Sequence, residues 1–234
     1  MVPQPFPLVC LPFAGSGAGF YRAWQEMAGP QQSVGVIPVQ LPGREELFLE
    51  APFTDAIEAA ALLAPRIVEL TSGVPDFGIF GHSLGAVLSY EIARELLRIG
   101  HPGLRHLYVS GSPGPGNGRD ARATGLRDDE FIARVQEFAG YRHAAFDDPD
   151  LRELLLPSLR ADVAMHENYK PSSDEPLDLP VTALRGADDA LVTREHARQW
   201  SATTSAGFRY IELPGGHMYL SDGPGALLSA IATG

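Results

Sequence analysis

A serine is flanked by two glycines in the segment Gly81-His82-Ser83-Leu84-Gly85. An apolar, strand-like run precedes this segment and the clearest helical periodicity of the chain follows it, which is the context that a G-x-S-x-G nucleophile elbow requires. On such a turn the serine backbone is strained and its hydroxyl is lifted clear of the sheet, and side chains two residues to either side would collide. The pattern predicts Ser83 as the nucleophile of an acyl-transfer reaction. We expect His82 to point away from the reacting atoms and to have a structural role.

A nucleophilic serine needs a base and an orienting acid, and in this class of fold the chain order is Ser, then Asp or Glu, then His. Asp188 and Asp189 follow a strand-like run, and the spacing G-x-x-D-x-x-V favours Asp189, with Asp188 as the alternative. His217 comes directly after two glycines that follow the last strand-like run. We predict His217 as the general base and Asp189 as the acid that orients its imidazole. The remaining histidines are expected to be solvated: His101, His106, His143, His166 and His196.

Backbone N–H groups are the expected partners of the negative oxygen that forms during acyl transfer. Leu84 begins the helix after the nucleophile, so its N–H is one candidate. The second donor should come from the loop after the first strand, where we favour Ala14, with Phe13 as the alternative. A glycine-rich turn that binds no ligand is the other interpretation of this loop. The predicted reaction proceeds through an acyl-enzyme and needs neither a metal nor a cofactor.

Short apolar runs alternate with segments of helical periodicity along the chain. Such runs, bounded by glycine and proline, are typical of strands buried on both faces of a parallel sheet. Six strands are predicted, at residues 7–12, 34–40, 77–81, 105–110, 181–186 and 208–213. Helices are predicted at residues 54–70, 84–99, 193–205 and 225–232, with a kink or a division into two helices at Pro65. This alternation predicts an α/β fold of the α/β-hydrolase type, with a mostly parallel, doubly wound sheet.

The 70 residues from Gly111 to Pro180 are too many for a simple crossover between two strands. Amphipathic segments at 128–138 and 149–165 predict helices within this stretch. We expect a helical lid insertion over about residues 113–175, above the carboxyl edge of the sheet, where open α/β sheets bind their ligands. A helical decoration with no role in access is the alternative. Residues 1–234 are expected to form a single domain.

The 234 residues carry a formal net charge of −11, which argues against nucleic acid as a partner because its binding needs a basic surface. No run approaches the roughly 18 apolar residues of a membrane span. The N-terminal apolar run lacks the basic region of a signal peptide. The single cysteine, Cys10, cannot form an internal disulfide. We therefore expect a cytoplasmic protein with no membrane partner.

Five segments, spread over nearly the whole chain, occur together in one known family. They are LPFAGSGAGFYRAW near the start, QLPGRE at residues 40–45, GHSLGA at the elbow, LPSLRAD at residues 156–162 and PGGHMYL near the end. In this combination the chain resembles the type II thioesterases, the stand-alone editing enzymes of polyketide and non-ribosomal peptide synthesis. The resemblance implies hydrolysis of aberrant or stalled acyl groups from the phosphopantetheine arm of acyl or peptidyl carrier proteins. It maps the catalytic triad onto Ser83, Asp189 and His217.

The lid should bound a mostly apolar pocket, for which Phe13, Met218 and Tyr219 are the lining candidates. Carrier proteins are usually acidic, so we expect an arginine cluster near the entrance, with Arg119, Arg122 and Arg127 as candidates. The enzyme is expected to be a monomer. The competing functions are a cyclising terminal thioesterase, a small-molecule carboxylesterase or acyl-CoA thioesterase, and an acyl-binding relative without activity.

Overall fold

A computed structural model describes residues 5–28, 33–117, 122–140 and 144–233. Strands β1 to β6 lie on the predicted apolar runs, so all six predicted strands are confirmed. They span Phe6–Leu11, Val34–Pro38, Phe77–His82, Leu104–Ser110, Val181–Gly186 and Phe208–Leu213. Within the described ranges, helices α1 to α7 span Ala18–Ala28, Ala56–Leu70, Leu84–Arg98, Asp128–Ala139, Pro149–Asn168, Arg194–Arg198 and Gly225–Ala232.

The six strands form one sheet in the order β2-β1-β3-β4-β5-β6, and every neighbouring pair is parallel. The chain passes from β1 outward to β2 and then returns to β3 on the other side of β1. At such a reversal the loops after the two central strands turn toward opposite faces and leave a crevice at the carboxyl ends of the strands. The predicted parallel α/β sheet is confirmed, and its switch point lies between β1 and the strand that precedes Ser83.

Apolar side chains cover both faces of the sheet, as the alternation of side chains along a strand requires. Val9 and Ile79 belong to one face, which packs against α2 and α3. Their neighbours Leu8 and Phe80 belong to the other face, which packs against the aromatic side chains of α1 and the apolar residues of α7. The near-continuous apolar runs are explained by this burial on two sides.

Helix α1 was not predicted from the sequence, because side chains from distant parts of the chain cap its first turn. The Ala18 N–H donates to Gln40 Oε1 at 3.0 Å. The Gly19 N–H donates to both carboxylate oxygens of Glu45, at 3.1 and 3.0 Å. No local start signal therefore marks this helix.

Two predicted helices differ from the observed ones. The segment predicted as one helix over 193–205 is the short α6 followed by a 3-10 helix, Gln199–Thr203, in which the Trp200 Nε1–H donates to the Ser112 carbonyl at 2.9 Å. The predicted division into two helices at Pro65 is wrong, since α2 continues through this residue. Proline leaves the carbonyl of Ala61 without its helical donor, but Ala61 is exposed and water can take that place.

The long segment between β4 and β5 contains α4 and α5, which have an apolar cluster of their own. Phe131 and Ile132 of α4 pack with Leu156, Leu159 and Val163 of α5. The predicted helical insertion is therefore present. In the described part of the chain, no helix is both long enough and apolar enough to cross a membrane.

Two glycines allow α3 to approach the sheet closely, and they yield a stability prediction. A Cβ on Gly81 would lie 1.9 Å from the Gly85 carbonyl oxygen, and a Cβ on Gly85 would lie 2.5 Å from the Leu11 carbonyl oxygen. Because both obstacles are backbone atoms, we expect Gly81→Ala to lower the free energy of unfolding by about 3 kcal/mol, the upper part of the usual overpacking range. Urea unfolding measures this change.

The matched control is Gly225→Ala. This glycine begins α7 with open space around the added Cβ, so the substitution should leave stability unchanged or slightly raised. Equal stabilities of the two variants would contradict the packing argument.

Candidate active site

Ser83 occupies a sharp turn between β3 and α3, with φ of 53° and ψ of −116°. For a residue other than glycine, this left-handed backbone costs on the order of 1–3 kcal/mol and must be held by its surroundings. The Ser83 N–H donates to the Ser110 carbonyl on β4 at 2.8 Å, and the Ser83 carbonyl accepts from the Ala86 N–H at 3.0 Å. The turn therefore presents the serine hydroxyl at the carboxyl edge of the sheet.

Asp189 and His217 form a buried pair after β5 and β6. His217 Nδ1 lies 2.8 Å from Asp189 Oδ2. Asp189 Oδ1 accepts from the N–H groups of Leu191 at 2.8 Å and Val192 at 3.0 Å. A carboxylate can only accept, so Nδ1 carries a proton, and a ring with that single proton presents Nε2 as an acceptor. Burial raises the pKa of Asp189, but the hydrogen bond and charge of His217 and the two N–H groups outweigh it and lower that pKa.

The alternative acid, Asp188, has an exposed side chain. Its backbone N–H donates to the Gly215 carbonyl at 2.9 Å and so joins the loop after β5 to the loop after β6. Gly186 lets these loops meet, since a Cβ there would lie 2.1 Å from the Gly216 carbonyl oxygen. The geometry brings Asp189, not Asp188, to the histidine.

A second buried network lies behind the histidine. His82 Nδ1 lies 2.9 Å from Ser110 Oγ, which in turn lies 2.8 Å from the Tyr219 hydroxyl. The His82 ring centroid is 4.9 Å from that of His217. These contacts agree with a structural role for His82. They also account for Tyr219, whose hydroxyl is directed to the sheet.

The oxyanion-hole candidates lie on either side of the switch point. Leu84 is the first residue of α3, so its N–H belongs to the turn that has no helical acceptor. On the loop after β1, the Phe13 carbonyl accepts from Ser16 N–H and Ser16 Oγ, both at 3.0 Å. Carbonyl and N–H point in opposite directions in a trans peptide, so the Ala14 N–H is turned out of this loop. Ala14 lines the same cavity as Ser83.

A cavity of about 310 Å³ contains both Ser83 and His217 in its wall. Phe13 and Met218 line it as predicted, whereas Tyr219 is not among the described lining residues. The lid contributes mostly apolar side chains: Val135, Phe138, Phe146, Leu155, Leu159 and Val163. The volume and lining suit a small apolar ligand group. Helices α4 and α5 therefore border the site instead of decorating a remote surface.

Three of the histidines expected to be solvated are partly enclosed. His101 is half-buried, with its ring 5.4 Å from that of Phe77 in an edge-to-face contact. His166 on α5 lines the cavity. His106 is half-buried, with Nε2 2.8 Å from Thr182 Oγ1, and burial lowers its pKa to about 4. His143 lies outside the described residues.

Comparison with known protein families shows to which family this chain belongs. A model of the thioesterase domain family matches residues 6–233, nearly the whole chain. This chain belongs to the thioesterase family. The predicted resemblance and the predicted hydrolase class are thereby confirmed.

Relatives of this thioesterase include biosynthesis proteins and other thioesterases of bacteria. The gramicidin S biosynthesis protein GrsT of Aneurinibacillus migulanus is 32% identical over 91% of this chain and 82% of its own length. Thioesterase PikA5 of Streptomyces venezuelae is 34% identical over 92% of this chain and 75% of its own length. The solved structure of the RedJ thioesterase, from the prodiginine pathway of Streptomyces coelicolor, is 35% identical with a TM-score of 0.87, over 100% of this chain and 94% of that one.

Sequence reasoning missed Arg185, which supports the loop after β5 that contains Asp189. This buried arginine donates to the carbonyl of Asp189 at 3.0 Å and to that of Val192 at 2.9 Å. Arg185 forms an ion pair with Glu212. Hydrogen bonds lower the pKa of the Glu212 carboxyl group to about 2, and the bond from Tyr210 contributes more than those from arginine side chains. A charged residue inside the apolar strand 181–186 was the available signal.

The predicted arginine cluster has different surroundings at each position. Arg122 pairs with Glu167, a cavity-lining residue, at 3.4 Å, and Arg127 forms an exposed pair with Glu130 at 3.2 Å. Arg119 lies outside the described residues.

Among the residues described, no group of three or more His, Cys, Asp or Glu side chains could hold a metal ion.

The lowered pKa of Asp189 predicts a pH-dependent contribution to stability. A carboxyl group whose folded pKa lies below its unfolded value, about 3.9, stabilises the fold above that pH, and the contribution is lost as the pH falls through the folded pKa. The deficit of Asp189→Asn in unfolding free energy should therefore be largest near pH 7 and shrink below about pH 4. Urea unfolding at several pH values measures it.

Asp188→Asn, which changes the adjacent exposed carboxylate, is the control and should show no comparable pH-dependent deficit. The same pH dependence in both variants would refute the assignment of the stabilising carboxylate.

Proposed function

We propose that the chain is a type II editing thioesterase that removes acyl groups from carrier proteins through a Ser83–His217–Asp189 triad. The observation that carries this proposal is the 2.8 Å bond between His217 and buried Asp189, at a cavity whose wall includes the strained Ser83. A base oriented by an acid beside a serine on such a turn is the arrangement that activates a hydroxyl for acyl transfer.

The reaction begins when His217 Nε2 takes the proton of Ser83 Oγ, which attacks the thioester carbonyl carbon. The resulting oxyanion accepts hydrogen bonds from the N–H groups of Leu84 and Ala14. The tetrahedral intermediate collapses with cleavage of the C–S bond, and the imidazolium gives its proton to the leaving thiolate. Water, deprotonated by His217, then attacks the carbonyl carbon of the acyl-enzyme. The bond from this carbon to Ser83 Oγ breaks, the imidazolium returns its proton to Oγ, and the carboxylic acid is released. Asp189 stabilises the imidazolium in both halves of the reaction.

The apolar lining supports an acyl chain as the group bound inside the cavity, since apolar walls with few polar groups favour such ligands. The phosphopantetheine arm is proposed as part of the substrate, and the enzyme's own residues supply all of the chemistry. The roles of GrsT in gramicidin S biosynthesis and of RedJ in the prodiginine pathway support acyl or peptidyl carrier proteins as partners.

The direct test is intact-mass analysis of carrier proteins loaded with different acyl groups, after brief incubation with enzyme. The wild type should return them to the free phosphopantetheine form, Ser83→Ala should leave them acylated, and Asp189→Asn should lower kcat by about 10⁴-fold. A thioester and a p-nitrophenyl ester of equal acyl length separate this function from a carboxylesterase. Higher kcat/KM on the ester, with carriers left acylated, would contradict the proposal.

A charge-reversal experiment tests carrier docking. Arg127 has an 86% exposed side chain next to α4, whose later residues line the cavity. We expect Arg127→Glu to raise KM for an acyl-carrier protein several-fold, with no change for a small acyl thioester, because attraction to an acidic carrier is lost only for the former.

Arg105→Glu is the control, since Arg105 also forms an exposed ion pair but lies at the amino end of β4. This variant should leave both KM values unchanged. Equal changes for carrier and small thioester in Arg127→Glu would refute docking at this position.

A further inference from the structure

Two of the five family-like segments, QLPGRE and LPSLRAD, contain neither a triad residue nor an oxyanion-hole candidate, yet they meet at one buried ion pair. Asp162 on α5 is fully buried, and Arg44 binds both of its oxygens, with Nη1 2.6 Å from Oδ2 and Nη2 2.8 Å from Oδ1. The same Oδ2 accepts from the Gly15 N–H at 2.8 Å. A residue of the lid is thereby bonded to the loop that holds the oxyanion-hole candidate Ala14.

The bonds on this loop fix the peptide planes on both sides of Ala14. The Phe13 carbonyl is held by Ser16, which orients the peptide that carries the Ala14 N–H. Asp162 holds the Gly15 N–H, which belongs to the next peptide. Arg44 adds a bond to the Ser16 carbonyl at 3.1 Å. With both planes held, the Ala14 N–H keeps one direction.

Packing adds to these bonds. A Cβ on Gly15, which has φ of 78°, would lie 2.9 Å from Leu159 Cδ1, so α5 contacts the loop backbone directly. Leu159 also lines the cavity. The face of α5 that meets the acyl-binding cavity is therefore the face that holds the loop.

We propose that Asp162, held by Arg44, is a positioning residue for the oxyanion hole and makes the lid helix α5 and the loop after β1 one unit. This proposal rests on the proposed function, because the loop matters for catalysis only if Ser83 performs acyl transfer. Asp162 acts through Gly15 and does not touch the substrate. Displacement of a stabilising donor by about 1 Å can cost on the order of 10²-fold in rate.

The first variant is Asp162→Asn, which keeps the side-chain volume but replaces one carboxylate oxygen by an NH2 donor, so it cannot accept from Arg44 Nη1, Arg44 Nη2 and Gly15 N–H together. We expect kcat to fall about 10- to 100-fold with KM within about twofold, because the lost interaction belongs to the transition state. The affinity for an alkyl trifluoromethyl ketone, which forms a tetrahedral adduct with the serine, should fall by the same factor as kcat/KM.

The second variant separates positioning from stability. Replacing a buried ion pair by apolar residues of similar volume commonly preserves folding, so Arg44→Met/Asp162→Leu should unfold near the wild-type temperature. It still lacks the acceptor for Gly15, and we expect kcat to stay low. Arg44→Met/Asp162→Leu with wild-type kcat and wild-type ketone affinity would overturn the proposal.

Asp55→Ala is the matched control. Asp55 is a carboxylate that caps α2, where its Oδ1 accepts from the N–H groups of Ile57 and Glu58, both at 2.9 Å, and none of these residues lines the cavity. It should lose stability without losing kcat, and a loss of kcat equal to that of Asp162→Asn would also overturn the proposal. A wild-type protein inactive on every thioester would instead contradict the proposed function.

Discussion

The backbone of Ser83 is the constraint on which the site depends. A serine with φ of 53° is strained, and the neighbouring elements must supply the free energy that holds it. They do so through the backbone hydrogen bond to β4 and through Gly81 and Gly85, which allow α3 to lie against β3 and β1. The order of the strands contributes to the same site, because the reversal of direction between β1 and β3 opens a crevice beside this serine.

The site combines three separately supported parts. The loops after β5 and β6 are bonded to each other through the Asp188 N–H and the Gly215 carbonyl. Arg185 on β5 donates to the Asp189 carbonyl and so holds the loop after β5. The loop after β1 is held by Arg44 and by Asp162 of the lid. The lid has its own apolar cluster, distinct from the two that cover the sheet. The Asp189–His217 pair is thus fixed at the edge of the sheet, while the loop after β1, which contains the proposed oxyanion donor Ala14, is bonded to the insertion.

The strands and the positions of Ser83, Asp189 and His217 could be predicted because their signals are local. An apolar run bounded by glycines marks a buried strand, and each of the three residues follows such a run. Helix α1 could not be predicted, because its caps come from Gln40 and Glu45. The bond between Arg44 and Asp162 could not be predicted either, because the two residues are 118 positions apart in the sequence. The direction of the Tyr219 side chain also could not be predicted, since its partner Ser110 lies on β4, 109 positions earlier in the chain.

The central claim is that His217 activates Ser83 for covalent attack. The most direct measurement is peptide mapping by mass spectrometry after reaction with a fluorophosphonate, in the wild type and in His217→Gln. The account predicts a single adduct on Ser83 that forms at least about a hundredfold more slowly in His217→Gln, as loss of a general base requires. An adduct on another residue, or equal rates in the two proteins, would contradict it.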